Sequence, residues 1–282
     1  MRIAHLILIH KNPLQLERLI NAIEHKNFDF YIHVDLKTDI EPFLYLSARR
    51  NVFFIKKRTK IYWAGFGTIQ ATINGFEEIP TKYDYINVIS GQDFSTMSSE
   101  AIYHFFVKNK GKEFITCDPM DSPEWNVGPR IRRYHLINWR IPGKFRLEKL
   151  INKILPPRKF PFDHEIVGRA NWFTLSREAV EYSMRFLKDN PVLIRYYKYC
   201  WGADEFIFST ILYNSHFKQN IVDNLVYVNW SGLKSGHPKI LTSEDFQQII
   251  ASGKMFARKI DMDIDPTIIS LLEDHINHQK TF

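Results

Sequence analysis

Two adjacent carboxylates, Asp204 and Glu205, open an otherwise largely apolar run, Ala203-Asp204-Glu205-Phe206-Ile207-Phe208-Ser209-Thr210-Ile211-Leu212. Gly202 interrupts what precedes, and Asp204 is a good N-cap, so the pattern predicts a helix with Glu205 in its first turn. The run leaves little polar surface, which predicts burial on more than one side. A carboxylate at the mouth of a buried helix is held rigidly and partly shielded from water. The helix dipole favours its charged form while burial opposes it, so it can stay ionised and still accept a proton. A general base needs that combination. The competing reading is an N-cap and a first-turn acid that merely complete the helix.

The elements that must hold this pair are legible as alternating apolar runs. Residues 3–9 read as a short strand, followed by the polar turn His10-Lys11-Asn12-Pro13. Leu14, Leu16, Leu19, Ile20 and Ile23 then recur at helical spacing. Further strands are expected at 28–34, 52–55, 85–89 and 114–116, with helices over 67–79 and from Ser98 to about 108. Such alternation predicts βαβ units and a largely parallel sheet, an α/β fold whose ligands sit beyond the carboxyl ends of the strands. His10, Asp35 and the loop Ser90-Gly91-Gln92-Asp93 all fall there. No GxGxxG follows the first strand and no Walker A lysine loop exists, which counts against dinucleotide and P-loop chemistry. Residues 119–165 are less regular and rich in Pro and Arg; they read as an insertion that covers the site or meets a partner. Beyond it come a strand at 172–175, a helix capped by Ser176 and the acidic helix. A strand at 225–228, a basic loop through Lys239, a helix capped by Thr242 and a terminal helix from about Pro266 complete the chain.

With 45% hydrophobic residues in 282, the chain can build a sizeable core. Its two cysteines, Cys117 and Cys200, lie far apart without metal-ligand spacing, which fits a reducing compartment. The N-terminal apolar run is too short for a signal h-region, and nothing approaches the length of a membrane span. The expectation is a soluble, cytoplasmic protein. A net charge of +7 favours polyanions, membrane surfaces or phosphorylated ligands. The basic clusters carry no helix-turn-helix, zinc-finger or RNP signature, so nucleic acid is disfavoured as a partner. An anionic leaflet or a sugar nucleotide suits the charge at least as well.

Five pieces in register resemble one family: Ile32-His33-Val34-Asp35, Ser90-Gly91-Gln92-Asp93-Phe94, Trp172-Phe173-Thr174-Leu175-Ser176-Arg177-Glu178-Ala179-Val180, Ala203-Asp204-Glu205-Phe206, and Ser252-Gly253-Lys254-Met255-Phe256-Ala257-Arg258-Lys259. Their order and spacing resemble the core-2/I-branching β-1,6-N-acetylglucosaminyltransferases, a family shared with the peptide O-xylosyltransferases, and in compactness its bacterial branch. The resemblance implies a GT-A fold and an inverting transfer from a UDP-sugar, GlcNAc or xylose, to a glycan hydroxyl without a divalent metal or other cofactor. It implies one domain over 1–282, with about 1–116 as the nucleotide-binding half and about 166–282 as the acceptor and catalytic half. It makes Glu205 the catalytic base, sets His10 and Asp35 in the nucleotide pocket, and turns Arg258 and Lys259 to the diphosphate. Lys239 corresponds more loosely to a diphosphate contact. A glycan or lipid-linked glycan acceptor in surface polysaccharide synthesis, met by peripheral association at the inner membrane face, follows from this reading together with the basic charge.

Other residues are open to two readings. Asp261-Met262-Asp263-Ile264-Asp265 contains overlapping Asp-x-Asp patterns that a metal-dependent GT-A transferase could use, but its place just before the last helix suits a solvated loop and N-cap better. Trp230, in a turn, could stack on a sugar face, whereas Trp172, in a strand, is as much a core residue. Asp93 and Asp204 could touch donor or acceptor; Asp93 could equally make an Asx turn. His10 and His33 read as structural rather than catalytic, and Glu124, Arg130 and Arg133 as residues shaping the acceptor site. The alternative outside enzymology is a non-catalytic basic protein that binds a membrane or nucleic-acid surface.

Overall fold

The run Ile3–Ile9 is buried along its whole length and forms β1, the centre of the main sheet. Strands covered on both faces show continuous apolar runs, because neither side meets water. The computed structural model describes residues 1–123, 125, 127–231 and 237–279. Helix α1 (Pro13–Ala22) leads to β2 (Phe28–Val34), which lies parallel to β1; β3 (Val52–Phe54) lies parallel to β2. Helix α2 (Gly67–Glu78) crosses back to β4 (Tyr85–Ser90), which pairs with the other edge of β1.

Beyond β4 the order becomes less regular. The pieces are β5 (Phe94–Ser95), α3 (Ser99–Lys108), β6 (Glu113–Phe114), β7 (Asp118–Pro119), α4 (Gly128–Arg132), α5 (Lys144–Ile154), β8 (Val167–Gly168), β9 (Phe173–Ser176), α6 (Arg177–Asp189) and α7 (Pro191–Tyr197). They are followed by α8 (Ile207–Tyr213), β10 (Ile221–Val222), β11 (Val226–Val228), α9 (Phe246–Ala251), β12 (Phe256–Arg258) and α10 (Thr267–Gln279). The main sheet has the order β10-β6-β9-β4-β1-β2-β3, parallel except where β9 runs against β4 and β6. A small sheet, β11-β12-β5, stands beside it, and β7 pairs with β8 in a short ribbon. The α/β class with a mostly parallel central sheet flanked by helices is the one the sequence predicts.

The cap signals hold. The Ser98 and Ser176 hydroxyls accept from the Ala101 and Ala179 amides, and Thr242 shares a reciprocal capping box with Asp245. Two expectations need correction. Asp204 is not an N-cap: Ala203–Glu205 form a single 3-10 turn, and α8 begins only at Ile207. Gly202, in the left-handed region at φ 65°, starts that turn, and the Asp204 carboxylate accepts from Asn171 rather than from its own helix. Glu205 therefore precedes the helix instead of sitting in its first turn. The stretch 119–165 is also not irregular throughout, since it holds α4 and α5. Leu147, Leu150, Ile151 and Ile154 recur at helical spacing in α5, yet no residue of that helix is buried.

Candidate active site

In a parallel sheet the carboxyl ends of the strands emerge along one edge. Here the segments after β1, β2 and β4 open into a cavity of about 780 Å³ whose opposite wall includes the turn before α8 and the end of β12. His10, Asp35, Trp172, Asp204, Glu205, Trp230, Arg258 and Lys259 all line it.

Asp35 is buried at the end of β2 and accepts from the amides of Lys37 (2.9 Å) and Ile61 (3.3 Å). Its loop is fixed from beneath by Arg58, whose guanidinium donates to the carbonyls of Val34, Asp35 and Thr38. His33, one strand position away from the loop, accepts from the Thr59 amide, and burial pushes its pKa down to about 4. It is a neutral structural imidazole. His10 reaches the cavity with its pKa lowered by burial first and then by Lys11 and Lys259.

The basic wall is built on β12. Arg258 lies 4.7 Å from the Trp172 ring centroid, a cation–π distance, and its Nε is 3.7 Å from Asp93 Oδ1. The Arg258 Nη1 is buried without a hydrogen-bond partner. Burial lowers the pKa of Lys259, and the neighbouring Arg258 lowers it further. Two cations that destabilise each other in a partly dry wall form a site that an anion would relieve. Asp93 is fully buried and does not line the cavity; it accepts from the Ser90 amide (2.8 Å) and hydroxyl (3.0 Å). Its part is to brace the β4 loop and Arg258.

The acidic wall faces it. Glu205 Oε2 stands 2.8 Å from Arg130 Nη2, with a side chain 24% exposed. Burial pushes the Glu205 pKa up to about 7; Arg130 pulls it down and Asp204 pushes it up. Burial likewise raises Asp204, whose carboxylate accepts from Asn171 Nδ2 at 3.1 Å. Arg130 lies over the Trp201 ring at 4.3 Å and near that of Phe206 at 5.3 Å. The backbone is clamped as tightly. The Glu205 carbonyl accepts from the Arg169 amide, and a Cβ at Gly168 would lie 1.8 Å from that carbonyl oxygen. A Cβ at Gly202 would lie 2.2 Å from Arg130 Nη2. Arg169 itself is held at φ 115°, a strained conformation for a residue with a side chain.

The Asp-x-Asp stretch is engaged elsewhere. Lys11 Nζ lies 2.5 Å from Asp261 Oδ2 and 3.4 Å from Asp263 Oδ2, so an ammonium stands where a cation would have to sit. Asp265 accepts from the amides of Ser243 and Thr267. No group of three or more His, Cys, Asp or Glu suited to a metal occurs among the described residues. Lys239 is captured by Asp245 at 2.7 Å and does not line the cavity; Arg133 does not line it either. Glu124 lies outside the described residues, as does the basic-loop segment 232–236. The partnership of Arg130 with Glu205 has no sequence signal, because 75 positions separate them. Arg169 and Asn171 carry no sequence signal either; they follow β8 and meet the acidic turn through the Arg169 amide and the Asn171 side chain.

The family model of the Core-2/I-Branching enzyme matches residues 3–250. Among curated proteins the chain is similar to xylosyltransferase 2 of Homo sapiens, 26% identical over 308 residues that cover 98% of this chain and 34% of that protein. It is also similar to xylosyltransferase oxt of Drosophila pseudoobscura pseudoobscura, 24% identical across 97% of this chain and 33% of that one. The chain thus spans about a third of the length of the curated relatives it matches. Among solved structures, that of mouse xyloside xylosyltransferase 1 in its apo form aligns with a TM-score of 0.41 and 12% identity, covering 82% of this chain and 89% of the other.

Proposed function

The chain belongs to the Core-2/I-Branching enzyme family, and on that premise we propose that it is an inverting glycosyltransferase of the GT-A type. In this reading a UDP-sugar, carrying GlcNAc or xylose, enters with its nucleotide against His10 and Asp35. Its diphosphate faces Arg258 and Lys259, and an acceptor hydroxyl comes between the anomeric carbon and Glu205. The acceptor oxygen forms its bond to the anomeric carbon as the bond to the β-phosphate oxygen breaks. The proton passes to Glu205 and the electron pair leaves with UDP. A base with a pKa of about 7 is suited to that transfer near neutral pH. The two cations neutralise the charge that grows on the leaving group, work that a divalent metal does in other enzymes. Lys11, bridging Asp261 and Asp263, speaks against the metal-dependent alternative. The acceptor in this reading is a glycan or lipid-linked glycan of bacterial surface polysaccharide synthesis, met in the cytoplasm at the inner membrane face.

One observation carries the proposal: a carboxylate with a raised pKa and a buried, partly unpartnered guanidinium line the same cavity. A non-catalytic surface-binding protein has no need of either. The test is UDP release from a panel of UDP-sugars, with and without EDTA, on wild type and Glu205→Gln. Release from one donor, indifferent to EDTA and lost in the variant while UDP still binds, is the expected result. Absence of both release and UDP binding for every donor would sink the reading.

A further inference from the structure

Of the fifteen large apolar residues most exposed among the described residues, six fall between 139 and 155, in and beside α5. Phe145 is 75% exposed, Ile154 68% and Leu150 52%. Leu150 and Ile154 are one turn apart, so they share a face with Leu147 and Ile151, which the protein covers only in part. Arg146, Lys149 and Lys153 fall on the adjoining exposed face. Between 139 and 155 there are five basic residues and a single acid, Glu148. That acid is turned inward, where it accepts from the Leu136 amide and pairs with His135. Nothing anionic on this element therefore offsets the outward charge.

The helix is not loose. Asn152 bonds both the amide and the carbonyl of Tyr134, and so ties α5 to the segment that follows α4. Helix α4 carries Arg130, the partner of Glu205. An apolar edge, Leu150 and Ile154, bordered by lysine and arginine, rigidly mounted and exposed, has the chemistry of a helix lying in a lipid headgroup layer. Its charge selects an anionic leaflet.

We propose that α5 and its flanks form the surface by which the protein docks on an anionic phospholipid bilayer, with Leu150 and Ile154 entering the acyl boundary and Lys149 and Lys153 meeting headgroups. This deepens the membrane-side placement proposed above and rests on it. The docked helix would hold the acidic wall of the cavity close to an acceptor that is itself embedded in lipid.

Flotation of the full chain with vesicles of phosphatidylcholine, alone or mixed with phosphatidylglycerol, tests the surface. Wild type is expected to float with the mixed vesicles and to be released by salt. The double variants Leu150→Glu with Ile154→Glu and Lys149→Glu with Lys153→Glu should each lower the bound fraction about tenfold or more. Their melting temperature should stay unchanged, because these side chains are exposed. Val107→Glu, on the exposed face of α3, should float like wild type. Equal flotation of wild type and both double variants, or no flotation of wild type, would overturn the proposal. So would a dimer in solution that these variants dissociate without any effect on vesicles. UDP release measured on the same preparations keeps the two readings apart. Release without flotation removes the surface and leaves the transfer, whereas variant-sensitive flotation without release does the reverse.

Discussion

Glu113 on β6 and Glu205 before α8 are two glutamates whose burial raises their pKa. They differ in what surrounds them. Glu113 is wholly buried, and its two oxygens accept from the Ser176 amide (2.8 Å) and hydroxyl (2.6 Å). Ser176 in turn caps α6, so this carboxylate locks a strand to a helix start and has no open side. Glu205 has one strong partner, Arg130, and an edge that faces the cavity. A raised pKa alone does not point to a base; a raised pKa beside an open cavity is what the proposed base has and Glu113 lacks.

The largest effect that should separate the two is on transfer. Glu205→Gln is expected to lower kcat by about 10²–10⁴-fold, measured as UDP release or product formation, with UDP affinity retained. A comparable loss in Glu113→Ala, per folded molecule, would break the comparison. In stability the order reverses. Glu113→Ala leaves the Ser176 donors without an acceptor, so denaturant unfolding should show a loss of about 2–4 kcal/mol while kcat of the folded fraction persists.

The pH profile sharpens the contrast further. As the proposed base, Glu205 would act in its ionised form, so kcat/KM should fall as pH drops through about 7. Arg130→Gln removes the cation that favours the ionised form, and the acidic limb should move to higher pH, with activity recovering in alkaline buffer. An unshifted limb would show that the limb does not report Glu205. The smallest effect concerns stability at the site. Glu205 has a folded pKa above its unfolded one, so its ionised form weakens the fold, and that destabilisation grows as pH rises from about 4.5 through about 7. Glu205→Gln should therefore be more stable than wild type at pH 8 by about 1 kcal/mol after the remaining solvent contact is discounted, seen as a slightly higher unfolding temperature. The two should converge below pH 5.

The sequence carried the first half of the molecule well, because β1, β2 and β4 are continuous apolar runs and Ser98 and Ser176 are effective caps. His10, Asp35 and Glu205 were found by strand-end position or by local pattern, and they do meet in one cavity. What escaped was decided by partners distant in sequence. Asn171 draws the Asp204 carboxylate away from the helix it was expected to cap. Asp245 captures Lys239, and Ser90 and Arg258 occupy Asp93. Helix α5 looks irregular in sequence because Pro142 and the Pro156-Pro157 pair frame a short, charge-rich segment whose apolar spacing serves no core.

Gly168 and Gly202 sharply limit which sequences can carry this site, since one admits no side chain against the Glu205 carbonyl and the other none against Arg130. Trp230, 53% exposed on the cavity rim, is under no such limit. Mutational tolerance around the cavity is thus graded. The rim can vary residue by residue, whereas the clamp must be inherited or lost as a block. A library aimed at new ligands of the cavity should randomise the rim and leave Gly168, Gly202 and Arg130 alone, since what meets the cavity can change sooner than the wall that holds Glu205.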